Sequence, residues 1–488
     1  MNQRSTGGAL RVLPWLLALA LSAGASAALA QTSPLTIQSL FFNTGSGVHR
    51  GNFLELDGGL IYNDNVDLTR NGSSDVLALL GLVGNISRLD APRLDYHINS
   101  DIALVKYLRS SFQTQPFGYL DAAGEFKIVP GTLSWTARDS YSQAILNPAV
   151  PPTPDNLESL NFFTTGPRLI LRPTLRTTIT VDGTYSYLLT GSKSSQYINI
   201  DHHRYGADAR IERAFSSTFS AYVQGNYDKV EFKDLLINRN FVAEQGLAGV
   251  KFGDARTFFD AQGGYTRLHL GAGGYNQFQV GPNTPSGVNY RLTLSRLIAP
   301  NQRLSLYTYR QVTDAANLFR INLDQPVPSN GQNQILTGEP FTHREYGATY
   351  HIEGPRTVLE VNGIIFTDRY TIVPANNRDV HAATAFLSRQ LNLSLSLELG
   401  GSLEQDKYFS GATLHTLNLL ASLRWRVGPR VGLRFVLGRT SYTPYGYPDT
   451  QVGLIASYAL TAAALTPDGL VTPTPLLPTS PATQPLIY

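Results

Sequence analysis

The stretch Leu391-Asn392-Leu393-Ser394-Leu395-Ser396-Leu397-Glu398-Leu399 alternates leucine with polar residues without a break. Successive side chains of a β-strand point to opposite faces, so in a strand the leucines share one side and the polar residues the other. Segments of about ten residues with this alternation recur from Phe53 to Leu460. So long a series of two-faced strands predicts an all-β transmembrane barrel, with its apolar face toward lipid.

Short and long connections alternate along the chain. Tight turns such as Val129-Pro130-Gly131 contain residues that suit turns, whereas longer polar loops occupy 190–201, 270–287 and 314–340. This asymmetry is typical of an up-and-down antiparallel barrel with short periplasmic turns and long outside loops. The pattern predicts about 20 strands, with about 18 as the alternative. A soluble β-sandwich also alternates, but it rarely needs so many strands in one series.

The N-terminus has the features of a secretory leader. Arg4 and Arg11 give a positively charged start before an apolar core over 12–21, and Ala28-Leu29-Ala30 forms a small-residue cleavage site. We therefore predict four regions: a signal peptide (1–30), an N-terminal periplasmic segment (31–52), an outer-membrane β-barrel (53–460) and a Pro/Thr-rich tail (461–488). The tail contains six prolines after Ala462, which predicts an extended or unstructured segment.

Composition excludes several classes of function. Cysteine is absent, so the chain has neither disulfides nor thiolate metal sites. The formal net charge is +3, and removing a leader with two arginines and no acids lowers it to +1. A balanced chain has no electrostatic basis for binding nucleic acid. We expect no cofactor and no metal, and we expect outer-membrane lipid to surround the protein.

The alternation assigns faces to individual strands. Residues predicted to meet lipid are Phe219, Ala221, Val223, Tyr227, Leu417, Leu419, Ala421, Leu423, Trp425, Val431, Leu433, Phe435 and Leu437. Charged residues of both signs are predicted to line the pore: Asp95, Asp101, Asp182, Arg204, Asp208, Arg210, Glu212, Asp260, Arg291, Arg344, Glu345, Glu398, Arg424 and Arg434. They could form a charged constriction that orders a solute, or cross-strand ion pairs that stiffen the wall. Only Tyr222, Tyr307 and Tyr309 are predicted as inward-facing aromatics, few for a polysaccharide path.

Catalytic and metal-binding patterns are weak. His202 and His203 point to opposite faces of a strand and cannot readily share an ion, so the histidines are predicted to be solvated loop residues. The acidic loop Asp64-Asn65-Val66-Asp67 could hold Ca²⁺, or it could simply form turns. No Gly-x-Ser-x-Gly or His-Glu-x-x-His motif occurs. We predict no catalytic residue; a hydrolase would require an acid and a histidine to meet across strands.

The first strands resemble a known family. The phrase runs Ile61-Tyr62-Asn63-Asp64-Asn65-Val66-Asp67-Leu68, then Ser74-Asp75, then Pro92-Arg93-Leu94-Asp95-Tyr96. It is similar to the porin-like outer-membrane β-barrels found with exosortase and exopolysaccharide-export loci, as are the turns Gly354–Arg356 and Gly428–Arg430. The motif match is concentrated in 57–107. The resemblance implies an outer-membrane location and a role beside polysaccharide secretion, and it brings no catalytic residues.

Together these features predict a non-enzymatic outer-membrane channel or barrel component linked to extracellular polysaccharide export. Its partners would then be a polysaccharide or proteins of a secretion machinery. The alternatives are a general porin for small solutes, a membrane-embedded hydrolase, and a structural barrel plugged by its own loops. The segments 270–287 and 314–340 are the predicted plugs.

Overall fold

The computed structural model describes residues 52–110, 112–145, 153–191, 199–235, 238–273, 286–318, 337–371, 373–409, 411–443 and 446–461. The predicted signal peptide, residues 31–51 and the tail after Thr461 lie outside this range. The described chain forms one 20-stranded antiparallel sheet. No helix in these ranges is long and apolar enough to cross a membrane.

The strands follow one another around the sheet in chain order. Their bounds are β1 (Phe53–Asn63), β2 (Asp75–Arg88), β3 (Leu94–Tyr107), β4 (Gln115–Val129), β5 (Leu133–Ile145), β6 (Leu157–Thr174), β7 (Thr177–Thr190), β8 (His202–Ala214), β9 (Phe219–Phe232), β10 (Arg239–Gly253), β11 (Thr257–Gly273), β12 (Gly287–Ala299), β13 (Gln302–Thr313), β14 (Phe341–Glu353), β15 (Thr357–Tyr370), β16 (Arg378–Gln390), β17 (Leu395–Tyr408), β18 (Thr413–Arg426), β19 (Val431–Thr443) and β20 (Asp449–Ala459).

The sheet closes on itself between β1 and β20. Leu56 lies opposite Tyr458 and Tyr62 lies opposite Val452 along this seam. Gly59 is required here, because a Cβ at this position would lie 2.6 Å from the carbonyl oxygen of Leu454. The closed 20-stranded barrel confirms the predicted fold class, and the alternative of 18 strands is wrong.

The two ends of the barrel differ. The end that carries the connections from β2 to β3, β4 to β5 and so on has short turns, and we call it the turn end. Gly131 adopts φ +76° in one of these turns, a backbone conformation that glycine accepts without strain. The opposite end, here the loop end, carries longer connections such as 64–74 and 314–340.

The leucine-rich stretch 391–399 is only partly a strand. β17 begins at Leu395, whereas 391–394 form the turn after β16, with the Leu391 amide donating to the Leu395 carbonyl. The Asn392 side chain accepts from the Ser394 amide at 2.9 Å. An Asx turn therefore ends the alternation earlier than the residue pattern alone indicates.

Burial alternates along the strands as a two-faced barrel requires. On β19 the outer face exposes Phe435 (54%) and Leu437 (52%), whereas the inward-facing Arg434 is buried (4%). Exposed aromatics also lie on the outside, with Tyr185 directly opposite Tyr205. The faces predicted for the segments now assigned as β9, β18 and β19 agree with these burial patterns.

Buried apolar side chains are concentrated in the loop-end half of the interior. Toward the loop end, buried apolar side chains form three clusters: one on β18–β20, β1–β4 and β6, a second on β5–β7, β9–β11 and β13, and a third on β14, β15 and β17–β19. Buried charged residues lie at the same level, since Arg204 stands opposite Val230 and Arg378 opposite Tyr408. Other ion pairs, such as those of Arg424 and Arg434, lie farther toward the turn end.

Candidate functional site in the barrel lumen

The residues predicted to line the pore are positioned by the strand alternation. Those that face the interior are Asp95, Asp101, Asp182, Arg204, Asp208, Arg210, Glu212, Asp260, Arg291, Glu345, Glu398, Arg424 and Arg434. That these residues line a path for a solute stays a prediction.

Arg344 is the exception, and its placement in the pore is wrong. It is an exposed residue of β14, and its guanidinium lies 4.9 Å from the centre of the Tyr346 ring on the same outer face. Its neighbour Glu345 is buried on the inside. Adjacent residues of a strand cannot both face the lumen, so only one of the two could have been a pore residue.

Many interior charges are paired with a neighbour along the wall. Arg168 Nε lies 2.6 Å from Asp182 Oδ1, and Arg138 Nε lies 2.7 Å from Asp121 Oδ1. Each pair joins adjacent strands, β6 with β7 and β4 with β5. These contacts match the structural alternative, in which cross-strand ion pairs stiffen a polar wall.

Other pairs reach past neighbouring strands. Arg424 on β18 contacts Glu55 on β1 at 2.6 Å, and Arg434 on β19 contacts Asp57 on β1 at 3.3 Å. β20 lies between β19 and β1, so these side chains pass over it inside the barrel. They tie the two sides of the closing seam together.

A third kind of contact involves a loop that turns inward. Directly after β13, residues 315–318 form one helical turn, and Asp314 caps it by accepting from the Asn317 amide at 3.1 Å. The second carboxylate oxygen of Asp314 accepts from Arg204 Nη2 at 2.6 Å. Arg204 lies on the inner face of β8 and is only 2% exposed, so the turn is anchored within the barrel.

The electrostatics of this contact depend on burial and on a cation. Burial by itself raises the pKa of the Asp314 carboxyl, but the charge of Arg204, with nearby His202, more than offsets this and leaves the pKa below its ordinary value. Asp228 is a second carboxylate near Arg204, at 3.8 Å. Asp314 is therefore a carboxylate at neutral pH and a stable partner for Arg204.

Apolar contacts hold the same turn on both sides. Ala316 belongs to the buried cluster of β5–β7, β9–β11 and β13, whereas Ala315 and Leu318 belong to the cluster of β14, β15 and β17–β19. Leu318 is 1% exposed. The turn thus bridges two walls of the barrel, and we call residues 314–318 the inner turn. It is the described beginning of the predicted plug 314–340; most of that loop and of 270–287 lies outside the described residues.

A histidine and two acids meet on the inner wall near the inner turn. His343 Nδ1 lies 2.6 Å from Asp368 Oδ1 on the next strand, and His343 Nε2 lies 3.0 Å from Glu345 Oε2. Arg378 donates to the other oxygen of Asp368 at 2.8 Å, and Tyr309 donates to Glu345 at 3.0 Å. Both nitrogens of the imidazole therefore face carboxylates.

Two sequence-based expectations about aromatic residues and histidines are corrected. His202 and His343 are buried strand residues rather than solvated loop residues. Inward-facing tyrosines are more numerous than predicted and include Tyr107, Tyr119, Tyr370, Tyr408 and Tyr442. Most of these lie at strand ends, where the sequence gives no clear phase for the alternation.

Several interior charges were not predicted. They are Glu55, Asp57, Asp121, Arg138, Arg168, His343, Glu360, Asp368, Arg378 and Asp406. The same period-two pattern would have found several of them: Glu55 and Asp57 alternate with Leu54 and Leu56, for example. Their pairing partners could not have been found, because register and barrel curvature decide which strands face each other.

The polar side chains of the acidic loop after β1 accept hydrogen bonds from backbone amides. Asp64 accepts from the Thr450 amide at 2.6 Å, and Asp67 accepts from the Ser73 amide at 3.2 Å. Asn65 accepts from the Thr69 amide at 3.2 Å. Across the described residues, no group of three or more His, Asp or Glu side chains has metal-binding geometry. Turn formation thus accounts for this loop.

A closed antiparallel barrel with an apolar outer face and a charged interior has the architecture of an outer-membrane β-barrel. No protein family and no curated protein matches the sequence. Solved structures that resemble the fold include the FrpB iron transporter from Neisseria meningitidis, with TM-score 0.44, 7% identity, and coverage of 85% of this chain and 83% of that one. The siderophore receptor PirA from Pseudomonas aeruginosa has TM-score 0.40, 7% identity, and coverage of 84% and 80%. The likeness concerns the barrel fold alone.

Proposed function

We propose that this protein is a non-enzymatic outer-membrane channel whose lumen is narrowed at the loop end by the inner turn. The contact that carries the proposal is the buried ion pair between Arg204 and Asp314. Asp314 is the first residue after β13, yet its carboxylate contacts Arg204 on the inner face of β8, five strands away in the sheet. A loop that only covered the end of the barrel would not make this contact. The pair holds the turn across the interior.

The apolar packing around the inner turn supports a gate near the loop end. Buried apolar side chains of two clusters hold the inner turn there, and the pairs Arg138–Asp121 and Arg168–Asp182 line the wall farther toward the turn end. An apolar constriction excludes water and ions, whereas a charged wall solvates them. Displacing the inner turn would therefore connect the loop end with an already hydrophilic passage.

The link to extracellular polysaccharide export rests on the family resemblance of the first strands. Inward-facing tyrosines such as Tyr222, Tyr307 and Tyr309 add to it, because aromatic rings beside hydrogen-bonding groups suit a sugar chain. Tyr307 and Tyr309 are engaged with Glu345 in the closed arrangement. On this proposal they meet the polymer only after the gate has moved, and the physiological direction of transport is export.

A hydrolase is the second candidate, and one observation favours it. His343 and Asp368 meet across β14 and β15, as a general base and its orienting acid would. However, the second imidazole nitrogen faces Glu345 and Tyr309 instead of a serine or threonine hydroxyl. Because a carboxylate has no hydroxyl proton for the imidazole to remove, a structural ion network fits the group better.

Single-channel recording tests the channel directly. The mature protein would be refolded into a planar bilayer and compared with a variant in which 314–340 is replaced by a short glycine linker. A variant with 274–285 replaced, in the other predicted plug, shows whether the effect belongs to 314–340. A small current that rises only when 314–340 is removed supports the gate, whereas a large steady current in the unmodified protein supports a general porin. No current from any folded barrel would overturn the channel.

A further inference from the structure

A groove on the outside of the barrel lies apart from the lumen. It has a volume of about 620 Å³ and runs across β14–β19 near the loop end. Its lining includes Tyr346, His381, Leu403 and His415 from the outer face. The volume is within the range of about 300–1,000 Å³ that is common for ligand sites.

Strand register explains why the surface is depressed here. Ala348, Gly363 and Ala383 stand directly opposite one another on β14, β15 and β16. These small residues form the floor, and the larger Tyr346 and Leu403, both exposed, rise beside them. A floor of this kind accepts an extended aliphatic chain, because backbone and methyl groups leave room for close contact.

Positive charge lies on both sides of the groove, with Arg344 and Lys407 toward the loop end and Arg439 toward the turn end. Arg344, Lys407 and Arg439 are exposed outer-face residues, each two positions from a lining residue on its own strand, or about 7 Å. Among the described residues, no carboxylate forms a salt bridge with these three cations. The nearby Arg369 is instead paired with Asp379.

We propose that this groove binds one phosphate-bearing glycolipid of the outer leaflet, of the lipid A class. An acyl chain would lie on the floor of Ala348, Gly363 and Ala383. Arg344 and Lys407 stand three strands apart in one row, and each would meet one of the two phosphates of such a lipid. Arg344 and Lys407 lie close to the loop-end termini of β14 and β17, which is the level of lipid headgroups. The inference rests on the proposed membrane location but is independent of whether the lumen conducts.

Charge complementarity favours this occupant over a second copy of the chain. A copy packed on the groove would bring its own lipid-facing surface, which is mainly apolar and leaves the three cations unpaired. A phosphorylated lipid matches both the apolar floor and the basic edge. Each cation near an anionic headgroup strengthens binding, and removing two should weaken it by about tenfold or more.

Native mass spectrometry of the full-length protein from phosphatidylcholine nanodiscs containing lipid A tests the site. The unmodified protein should retain one lipid A molecule, and the double variant Arg344→Gln/Lys407→Gln should retain it about tenfold less well. Ala383→Leu should also reduce retention by filling the floor. Lys106→Gln, which removes an exposed cation on β3, is the matched control and should bind like the unmodified protein.

Two outcomes would overturn the proposal. Equal retention of lipid A and its dephosphorylated form would exclude phosphate recognition, and a dimer that disappears in Ala383→Leu would identify a second copy as the occupant. Resistance of each folded variant to heat in detergent, read by electrophoretic mobility, separates lost binding from lost folding. Failure of the protein to enter nanodiscs would contradict the membrane location itself, and conductance of the groove variants reports separately on the channel.

Discussion

Arg204 on β8 and Asp314, the first residue after β13, form a buried ion pair with 2.6 Å between Nη2 and Oδ2. Strands β9–β12 separate β8 from β13 in the sheet, so the contact crosses the interior instead of following the wall. Asp314 also caps the helical turn that follows it. One side chain thus fixes both the shape of the inner turn and its position.

Replacing Arg204 should release the inner turn. Arg204→Met keeps most of the side-chain volume but leaves Asp314 buried without its cation, and breaking one half of a buried pair costs about 3–5 kcal/mol. We expect the open fraction in planar-bilayer recordings to rise at least about tenfold. Arg168→Met, which breaks a pair within the wall, should leave the current unchanged; equal currents from the two variants would contradict the role of Asp314.

Acid should open the channel only at a pH below the ordinary range of carboxyl pKa values. The folded-state pKa of Asp314 is lowered from 3.8, chiefly by Arg204 acting against the effect of burial. A lowered pKa means that the pair stabilises the closed state above pH 3.8 and is lost as the pH falls through the lower folded value. Conductance should therefore be constant from pH 7 to pH 5 and rise at more acidic pH. Asp314→Asn should be open at neutral pH and show a much smaller acid response.

Asp75 should be a stability determinant of the loop end. Its buried carboxylate accepts from the amides of Val76, Leu108, Arg109 and Ser110 at 2.6–3.2 Å. Asp75→Ala leaves these donors without their acceptor, and we expect the free energy of unfolding to fall by about 2–4 kcal/mol. Urea unfolding in lipid vesicles measures the loss. Asp75→Asn keeps one acceptor oxygen and should lose less; an Ala variant as stable as the original protein would exclude this role.

The apolar outer face should tolerate no charge at its middle. Leu437 lies halfway along β19 on the outside, and Leu437→Arg should cost about 2–4 kcal/mol in a bilayer. Val427→Arg, at an equally exposed apolar residue in the turn before β19, should cost little. Urea unfolding of both variants in phospholipid vesicles makes the comparison. Similar stability of the two would indicate that the outer face does not meet lipid.

Much of the barrel could be predicted from residue order because period-two alternation is a local property. The strand number, the two ends and the faces of β18 and β19 all follow from it. The same signal fails at two places. At Leu391 an Asx turn interrupts a perfect alternation, and at Arg344 a residue of the outer face was assigned to the pore together with its neighbour Glu345. Strand boundaries depend on turn geometry as well as on polarity.

The candidate site was harder to predict from the sequence than the fold. Arg204 was recognised as an inward-facing charge, but its partner Asp314 lies 110 residues later and outside any strand. His343 and Asp368 likewise come together only because β14 and β15 pair in one register. Contacts of this kind depend on how the strands pair and how the sheet closes, which no single segment of sequence determines.

The sequence by itself determined that this protein forms a two-faced barrel, because alternation and turn residues act over a few neighbouring positions. Only the tertiary structure decided what lies inside it and on its surface. Closure brought Arg204 to Asp314 across the lumen, and register aligned Ala348, Gly363 and Ala383 into one groove. Both depend on distances between residues far apart in the chain, which are fixed only when all the strands have paired.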